Sequence, residues 1–406
     1  MKKTLALLLA VAFAVPAFAG NILSNVETYG EIETIGFNAT VDEMTAKTVV
    51  NRTLFGISAD LVEDVRANLT FAYGSLLEDP VTGDSPWMNA WGSVYGVYGD
   101  SVDSYLQRIS VAEANVVVSN IFGALEAKIG RQFYGNEDSA VMYFGPKRGN
   151  AMNLAMPTML SLDGALLTWA GESAAVSAFY SQALEEDYLE AARITGLTFD
   201  YAFTNNLTAG VYWYDVEGDL EGTDEPMHLG IWGGKVAYQN ENAKIGVEYA
   251  KNYLGHVFGH NNEGWMLKAD AALNLDTEAV ALTPRLTYYH SEKGFVAFGN
   301  YNPGIILGNV KGAMFGFNPD ILDTVDWRIF NAGIDFGMKS LEKVTFSFDY
   351  LNAKLDNSWV GNEFDLTAKY HHNDYVTFTL GGAMATNLMA DMDDIYGVQL
   401  GMLIKF

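Results

Sequence analysis

A strict alternation of apolar and polar residues recurs along the chain and limits the structures it can form. In the segment 343–354, Val344, Phe346 and Phe348 occupy every second position, and Thr and Ser fill the positions between them. The segments 65–73, 264–275 and 363–372 have the same period of two. Such a period is typical of β-strands with one apolar face and one polar face. The sequence therefore predicts an all-β protein.

Eighteen such segments can be counted, and the even number favours a closed antiparallel barrel. The predicted strands are 25–38, 47–60, 65–73, 105–118, 124–132, 162–171, 174–182, 191–203, 207–216, 229–240, 243–252, 264–275, 279–290, 326–338, 343–354, 363–372, 375–386 and 395–406. The connectors after even-numbered strands are tight, as at 204–206 and 241–242, and those after odd-numbered strands are longer and more acidic. Membrane barrels show this alternation, with short periplasmic turns and longer extracellular loops. We predict a transmembrane antiparallel β-barrel of about 18 strands, with 16 as the alternative.

The first residues have the features of a secretory signal peptide. Lys2 and Lys3 precede an apolar run over 5–15, and Ala17 and Ala19 form a small-x-small cleavage site. We expect cleavage after Ala19, which removes residues 1–19 and leaves a single barrel domain over 20–406. No later stretch of 18 or more uninterrupted apolar residues follows, so a helical membrane span is not predicted.

The final strand indicates the compartment. Val398, Leu400 and Met402 alternate with polar or small residues, and the strand ends on Phe406. A terminal aromatic residue on an amphipathic strand resembles the recognition signal that the outer-membrane assembly machinery reads. We therefore predict localisation to the bacterial outer membrane, with Phe406 as the assembly signal. The expected partners are this machinery and the outer-membrane lipid.

Charge and composition exclude several other classes of protein. The chain has 50 Asp and Glu against 24 Lys and Arg, a net charge of -26, which argues against nucleic-acid binding. It has no cysteine, so disulfides and metal-thiolate sites are excluded. Neither a Gly-x-Ser-x-Gly nor a His-Glu-x-x-His motif occurs. We predict no enzymatic activity, no cofactor and no metal site.

The size of the predicted barrel indicates transport. Barrels of 16–18 strands leave an aqueous channel. The leading hypothesis is a porin for passive diffusion of small hydrophilic solutes or ions, either monomeric or trimeric. The alternative is a structural or adhesive surface barrel whose acidic loops bind a partner.

A pore of this kind is tuned by a constriction, which an infolded loop usually forms. The segments 74–104, 133–161 and 291–325 are long enough, and we favour 133–161 because it combines charged residues with several glycines and prolines. The predicted constriction residues are Lys128, Arg131, Glu137, Asp138, Lys147, Arg148 and Asp163. Arg131 has the outward parity of Ile129, so it reaches the pore only from a rim position or a bulge.

Strand parity also predicts which charged residues line the lumen. The predicted lining residues are Arg66, Glu126, Asp200, Lys244, Glu248, Lys268, Asp270, Arg285, Asp349, Asp365 and Lys369. Both signs are present, and a lumen of mixed charge favours small cations or neutral solutes over polyanions.

The segment 124–182 is similar to the core of the alginate-export family of outer-membrane porins. The resemblance rests on Leu125–Gln132, which ends in Gly-Arg-Gln, on the Tyr134-Gly135 pair, on Leu162–Trp169, which contains Asp-Gly, and on Val176–Tyr180. It implies a monomeric barrel of 18 strands. The family's arginine-rich constriction is not matched, since the whole chain has only eight arginines.

Overall fold

The computed structural model describes the part of the chain that forms the barrel wall and two of its loops. The described residues are 24–41, 44–76, 109–148, 161–182, 189–220, 226–257, 260–261, 263–299, 301, 303–308, 326–355, 358–387 and 394–406. The predicted signal peptide, most of the segment 74–104 and residues 149–160 of the predicted constriction loop lie outside the described residues.

Eighteen long strands form the wall. They are β1 (Ser24–Val41), β2 (Met44–Val62), β3 (Val65–Leu76), β4 (Ile109–Ile121), β5 (Leu125–Gln132), β6 (Leu162–Ala170), β7 (Ala174–Gln182), β8 (Leu189–Ala202), β9 (Leu207–Leu220), β10 (Pro226–Gln239), β11 (Ala243–Val257), β12 (Trp265–Leu273), β13 (Val280–Ser291), β14 (Trp327–Met338), β15 (Val344–Leu355), β16 (Ser358–His371), β17 (Val376–Thr386) and β18 (Ile395–Lys405). Short pairings at His260–Asn261 and Leu275–Asp276 extend β11 and β13, and Lys339–Leu341 form a 3-10 turn.

Every wall strand pairs antiparallel with the next, and the sheet closes on itself. The closing contact joins β1 to β18, from Glu31 opposite Lys405 to Val41 opposite Ile395. Closure leaves no edge strand, which is the condition for a sheet to cross hydrocarbon. The predicted barrel of 18 strands is confirmed, and the 16-stranded alternative is wrong. Among the described residues, no helix is long and apolar enough to cross a membrane.

The predicted alternation of connectors is wrong at two places. Only residues 42–43 separate β1 from β2, and only residues 356–357 separate β15 from β16. In both hairpins the strand pairing continues further than the sequence pattern indicates, to Val41 opposite Met44 and to Leu355 opposite Ser358. Elsewhere the even-numbered connectors are short, as at 63–64, and define the turn end of the barrel. The opposite end is the loop end.

Register fixes which residues face outward, because directly paired residues share a face of the sheet. The outward positions carry large exposed apolar side chains. Examples are Leu167, Leu197, Val211, Val236, Ile245, Val247, Leu286, Phe348, Leu366, Leu380 and Leu400. Towards the loop end an outward belt of aromatic rings runs from Trp232 through Tyr249 to Trp265, with centroids 5.8 and 6.3 Å apart. Aromatic belts of this kind mark the membrane–water interface.

The last strand has the predicted faces. Val398 and Leu400 are exposed on the outer surface, and Gln399 is buried on the inner one. Phe406 exchanges two backbone hydrogen bonds with Gly30, at 2.8 and 3.0 Å. Recognition of Phe406 by the assembly machinery stays a prediction.

Candidate functional site

The inner face of the barrel divides by depth into a charged half and an apolar half. On β11, Lys244 and Glu248 lie nearer the turn end, and Ala250 follows towards the loop end. On β9, Tyr214 and Val216 are buried inward residues on the loop-end side of the strand. Apolar inward residues at this end form one buried cluster with residues of two loops. Its wall members include Phe179, Ile194, Tyr212, Tyr214, Val216, Leu229, Ile231, Ala250, Met266, Tyr289, Ile329 and Leu351. Side chains rather than water therefore occupy this part of the interior.

The first of these loops, residues 133–148, is held to the wall by the carboxylate of Glu248. Ser139 Oγ donates to Glu248 Oε1 at 2.9 Å, and the Ala140 N–H donates to Oε2 at 3.0 Å. The Tyr212 hydroxyl donates to Oε1 at 3.2 Å. Nearer β5, the Tyr134 ring stacks on Phe179 with centroids 3.8 Å apart. Both contacts hold residues 133–148 inside the barrel, and the role of 133–161 as the constriction stays a prediction.

The far end of this loop is fixed at β1 and β2 by a buried charge cluster. The fully buried Arg52 donates to Glu31 and Glu33, both at 2.9 Å, and to the Lys147 carbonyl at 2.6 Å. Arg148 bridges Glu31 at 2.6 Å and Glu137 at 3.2 Å. Arg52 and Glu31 belong to this site, although neither is among the predicted constriction residues. Their pattern in the sequence, two inward glutamates on one strand and an inward arginine on the next, is the feature that could have identified them.

A second loop, after β13, also enters the lumen and binds another pair of carboxylates. The N–H groups of Ile306 and Leu307 donate to the two oxygens of Glu363 at 2.6 and 2.7 Å. The Ile305 N–H donates to Asp365 at 3.1 Å. Glu363 and Asp365 are 1% and 5% exposed on the inner face of β16. The sequence favours 133–161 over the segment 291–325, yet residues 303–308 of that segment fold inward.

Asn252 on β11 holds the start of this second loop. Its side-chain amide donates to the Val296 carbonyl at 3.0 Å, and its oxygen accepts the Val296 N–H at 2.8 Å. The loop thus runs from the β11 wall to the β16 wall. It crosses the interior of the barrel.

The two loops bind each other as well as the wall. Met142 and Phe298 form a parallel bridge. The Phe298 N–H donates to the Val141 carbonyl at 2.8 Å, and the Phe298 carbonyl accepts the Tyr143 N–H at 3.0 Å. Lys147 Nζ donates to the Gly299 carbonyl at 3.1 Å. The described parts of both loops therefore form one constriction body, 133–148 with 294–299, 301 and 303–308.

Burial changes the acid–base properties of groups within this constriction body. Loss of water contact lowers the pKa of Lys147. Burial, reinforced by the negative charge of Glu137, raises the pKa of Tyr143 to about 12. For Arg148, burial acts to lower the pKa, but the hydrogen bond and charge of Glu31 outweigh it and raise the pKa. Arg148 is therefore a permanent positive charge beside the buried Glu31.

Five of the predicted constriction residues lie inside the barrel. Glu137 and Asp138 belong to the first loop together with Lys147 and Arg148, and Lys128 lies on the adjacent wall, 3.3 Å from Glu113. The Asp138 carbonyl accepts a hydrogen bond from Lys268 Nζ at 2.8 Å, and its carboxylate lies 3.6 Å from Lys244 Nζ. Among these five, Glu137 and Arg148 are in direct contact, and the other three contact wall or loop residues outside the predicted constriction set.

The predicted positions of Arg131 and Asp163 are wrong. They are directly paired across β5 and β6, and they share a face with the exposed residues Ile129 and Leu167. Arg131 grips Asp163 through two hydrogen bonds of 3.2 and 2.9 Å on the outer surface. Gly130 does have a positive φ, but the pairing register passes through it unchanged. The local irregularity therefore does not turn Arg131 inward.

Two ion pairs of the charged half are formed across a strand that carries glycine. Lys235 on β10 lies 3.2 Å from Asp200 on β8, and Gly210 on β9 stands between them. Arg285 on β13 donates to Asp349 on β15 at 2.9 Å across Gly333. A Cβ on Gly333 would lie 2.3 Å from Asp349 Oδ1. The missing side chain is what allows the two charges to meet.

The other predicted lining residues also have inward register. Arg66 pairs with Glu27 and lies 3.6 Å from Asp60. Ser119 Oγ donates to Glu126 at 3.1 Å. Asp270 lies against Gly246 on the neighbouring strand, and Lys369 stands opposite Thr345 and Thr379. The parity argument therefore places all eleven predicted lining residues on the inner face.

Comparisons with known proteins find solved structures of similar fold but no matching sequence. No protein-family model matches the sequence, and no curated protein matches it. The fold is similar to Acinetobacter baumannii OccAB4, with a TM-score of 0.58 at 10% identity, covering 95% of this chain and 99% of that one.

Two Pseudomonas aeruginosa structures give similar values. The outer membrane protein opdK has a TM-score of 0.58 at 12% identity and covers 95% of this chain and 100% of its own. OccK5 (OpdH) has a TM-score of 0.58 at 13% identity, with 95% and 99% covered. Identities this low establish the fold alone. The chain thus shares the fold of these proteins, a closed 18-stranded antiparallel barrel.

Proposed function

We propose that the chain is an outer-membrane porin through which small hydrophilic solutes or ions diffuse passively. The observation that carries the proposal is the constriction body, which crosses an 18-stranded barrel and is bound to the wall carboxylates of Glu248, Glu363 and Asp365. A barrel of this size leaves an aqueous channel unless loops narrow it. Loops fixed by rigid wall residues define a passage of constant size, which is what a diffusion filter needs.

The charges of the wall favour cations and neutral solutes. On the inner face of the described strands, carboxylates outnumber basic groups. The acidic residues are Glu27, Glu31, Glu33, Asp60, Glu113, Glu126, Asp200, Glu248, Asp270, Asp335, Asp349, Glu363 and Asp365, and the basic ones are Arg52, Arg66, Lys128, Lys235, Lys244, Lys268, Arg285, Lys369 and Lys405. Five of these carboxylates, those of Glu31, Glu33, Glu248, Glu363 and Asp365, are buried beneath the constriction body, so it is the summed charge of the wall that is negative. A net negative field concentrates cations. The filter therefore selects small cations over anions.

A structural or adhesive surface barrel is the competing function. That function predicts basic loop residues that point outward to a partner. Lys147 and Arg148 instead point into the barrel, where they contact Gly299, Glu31 and Glu137. These contacts support the porin.

The test is the conductance of the refolded chain 20–406 in a planar bilayer, with the reversal potential measured under a salt gradient. We expect stable open channels and a reversal potential of the sign that cation selectivity gives. A correctly folded barrel that stays silent would overturn the porin proposal. An anion-selective reversal potential would overturn the charge argument while leaving the porin in place.

Three finer expectations remain proposals. The resemblance of 124–182 to the alginate-export family suggests a relationship within outer-membrane porins. The monomeric state follows from that same resemblance, with a trimer as the alternative. Assembly through the β18 signal is supported by the exposed outward face that ends at Phe406.

A further inference from the structure

Three side chains with metal-binding groups meet on the outer surface of the barrel, away from the lumen. Asp215 and Glu217 are two residues apart on β9, so they share a face. His228 on β10 stands directly opposite Glu217. The same face carries Trp213 and Trp232, both exposed on the outside of the barrel. The three side chains therefore belong to the outer surface near the loop end.

The geometry of the three groups suits a single ion. Their nearest ligand atoms all lie within 4.8 Å of one another. His228 Nε2 and Asp215 Oδ1 are 2.9 Å apart. Bonds of about 2.0–2.2 Å to zinc place neighbouring ligand atoms roughly 3–3.5 Å apart. The paired strands fix the Cα positions, so a closer approach of the three groups calls for side-chain rotation and no change of the backbone.

The surroundings leave this cluster with excess negative charge. Arg193 on β8 lies 3.0 Å from Glu217 and supplies the one cationic partner seen there among the described residues. Residue 230, opposite Asp215, is a glycine, and the Tyr253 ring lies over it, where an added Cβ would be 2.6 Å from Tyr253 Cζ. The Tyr253 hydroxyl also contacts the Trp213 indole N–H, within the aromatic belt. The cluster is therefore at the level of the lipid headgroups.

We propose that Asp215, Glu217 and His228 form a binding site for one divalent transition-metal ion of the zinc class. An imidazole combined with two carboxylates suits zinc and its first-row neighbours, whereas magnesium and calcium prefer oxygen ligands alone. Three protein ligands leave at least one coordination position open to water or to a phosphate oxygen. The site is independent of the channel, because all three residues face away from the lumen.

The test is metal binding by the folded barrel in detergent. Zn²⁺ titration calorimetry should show one site per chain, and Co²⁺ should give the visible absorption of an ion bound to imidazole. His228→Gln, Asp215→Asn and Glu217→Gln should each weaken binding at least about tenfold, since even outer-shell changes cost about 10–100-fold. His371→Gln is the matched control, because His371 lies on β16 and hydrogen-bonds Thr345 and Thr377. It should bind as the parent does.

Arg193→Gln should strengthen Zn²⁺ binding, whereas the three ligand substitutions should weaken it. Misfolding of a variant cannot produce tighter binding. Removing the guanidinium frees Glu217 from its ion pair, so this variant should bind Zn²⁺ more tightly than the parent. Absence of a one-to-one site in the parent, or unchanged affinity in His228→Gln, would overturn the proposal. Equal competition by Mg²⁺ would also overturn it, because the assignment requires the imidazole.

Discussion

Glu248→Ala removes the carboxylate that binds the middle of the first loop to β11. The loop loses two hydrogen bonds, from Ser139 Oγ at 2.9 Å and from the Ala140 N–H at 3.0 Å. The Tyr212 hydroxyl loses its acceptor at 3.2 Å. Ala140 is 6% exposed, so water does not readily replace the lost acceptor. The substitution should therefore release the loop locally without cutting it from its other contacts.

The size of this effect follows from the two loop bonds. A hydrogen bond to a charged group contributes about 1.5–3 kcal/mol. Taking the lower value for each bond, the closed loop loses about 3 kcal/mol. Since 1.4 kcal/mol corresponds to a factor of ten, the population of the released loop should rise roughly 100-fold. The contacts of Phe298 and Arg52 remain and limit the opening to the segment near Ser139.

Single-channel recording detects this release. Glu248→Ala should show a larger mean conductance and more frequent conductance steps than the parent chain. Glu126→Ala is the matched control, because it also removes an inward carboxylate, but one bonded to Ser119 in the connected wall strand β4. Its frequency of conductance steps should match that of the parent. If Glu248→Ala gives the same conductance and noise as the parent, Glu248 does not hold the loop and the constriction body is wrongly assigned.

Three further predictions concern stability. Gly333→Ala places a Cβ 2.3 Å from Asp349 Oδ1 and should lower the free energy of unfolding by about 1–3 kcal/mol. Gly382→Ala is the control, because nothing lies within 4 Å of the added carbon, and it should leave the free energy of unfolding unchanged. Urea unfolding in detergent measures both. Arg52→Ala leaves Glu31 and Glu33 buried without their shared cation and should cost about 3–5 kcal/mol in the same assay, and a loss under 1 kcal/mol would contradict the buried cluster. Burial lowers the pKa of Lys147 in the folded chain, so the unfolded chain binds this proton more tightly. The free energy of unfolding, compared with that of Lys147→Met, should therefore rise with pH between the lowered pKa and the ordinary value of about 10.4. A difference between the two proteins that does not change with pH would refute the burial argument.

The wall of the barrel was predictable because its information is local. A period of two assigns each side chain to a face, and one register then carries that assignment around the closed sheet. The register gives Lys268, Asp270 and Arg285 the inward face that this rule assigns to them, and their role in lining a passage stays a prediction. Arg131 needs a bulge or a rim position to reach the pore, and the register through β5 contains no such shift at this residue. Parity alone assigns Arg131 to the outer face, where the structure has it.

The positions of the loops were not predictable, because their contacts join residues far apart in the chain. Asp365 binds Ile305 from 60 positions away, and no spacing within either segment encodes that pair. One indirect signal was present. In the middle of β9, Tyr212 and Tyr214 are aromatic on the inward side, whereas Val211 and Trp213 are apolar on the outward side. A strand that is apolar on both faces must be covered on both, so something has to pack inside the barrel.

The division of the interior by depth separates two properties of the channel that a uniform pore would combine. The constriction body packs on the apolar half, so the contacts of Glu248 and Glu363 should set the width of the passage. The ion pairs across Gly210 and Gly333 lie nearer the turn end and should set its charge. Loop-releasing substitutions such as Glu248→Ala should therefore change conductance more than the reversal potential. Substitution of Lys235 or Arg285 should shift the reversal potential towards stronger cation selectivity with little change in loop noise, because each removes a positive charge that no loop residue contacts in the described chain.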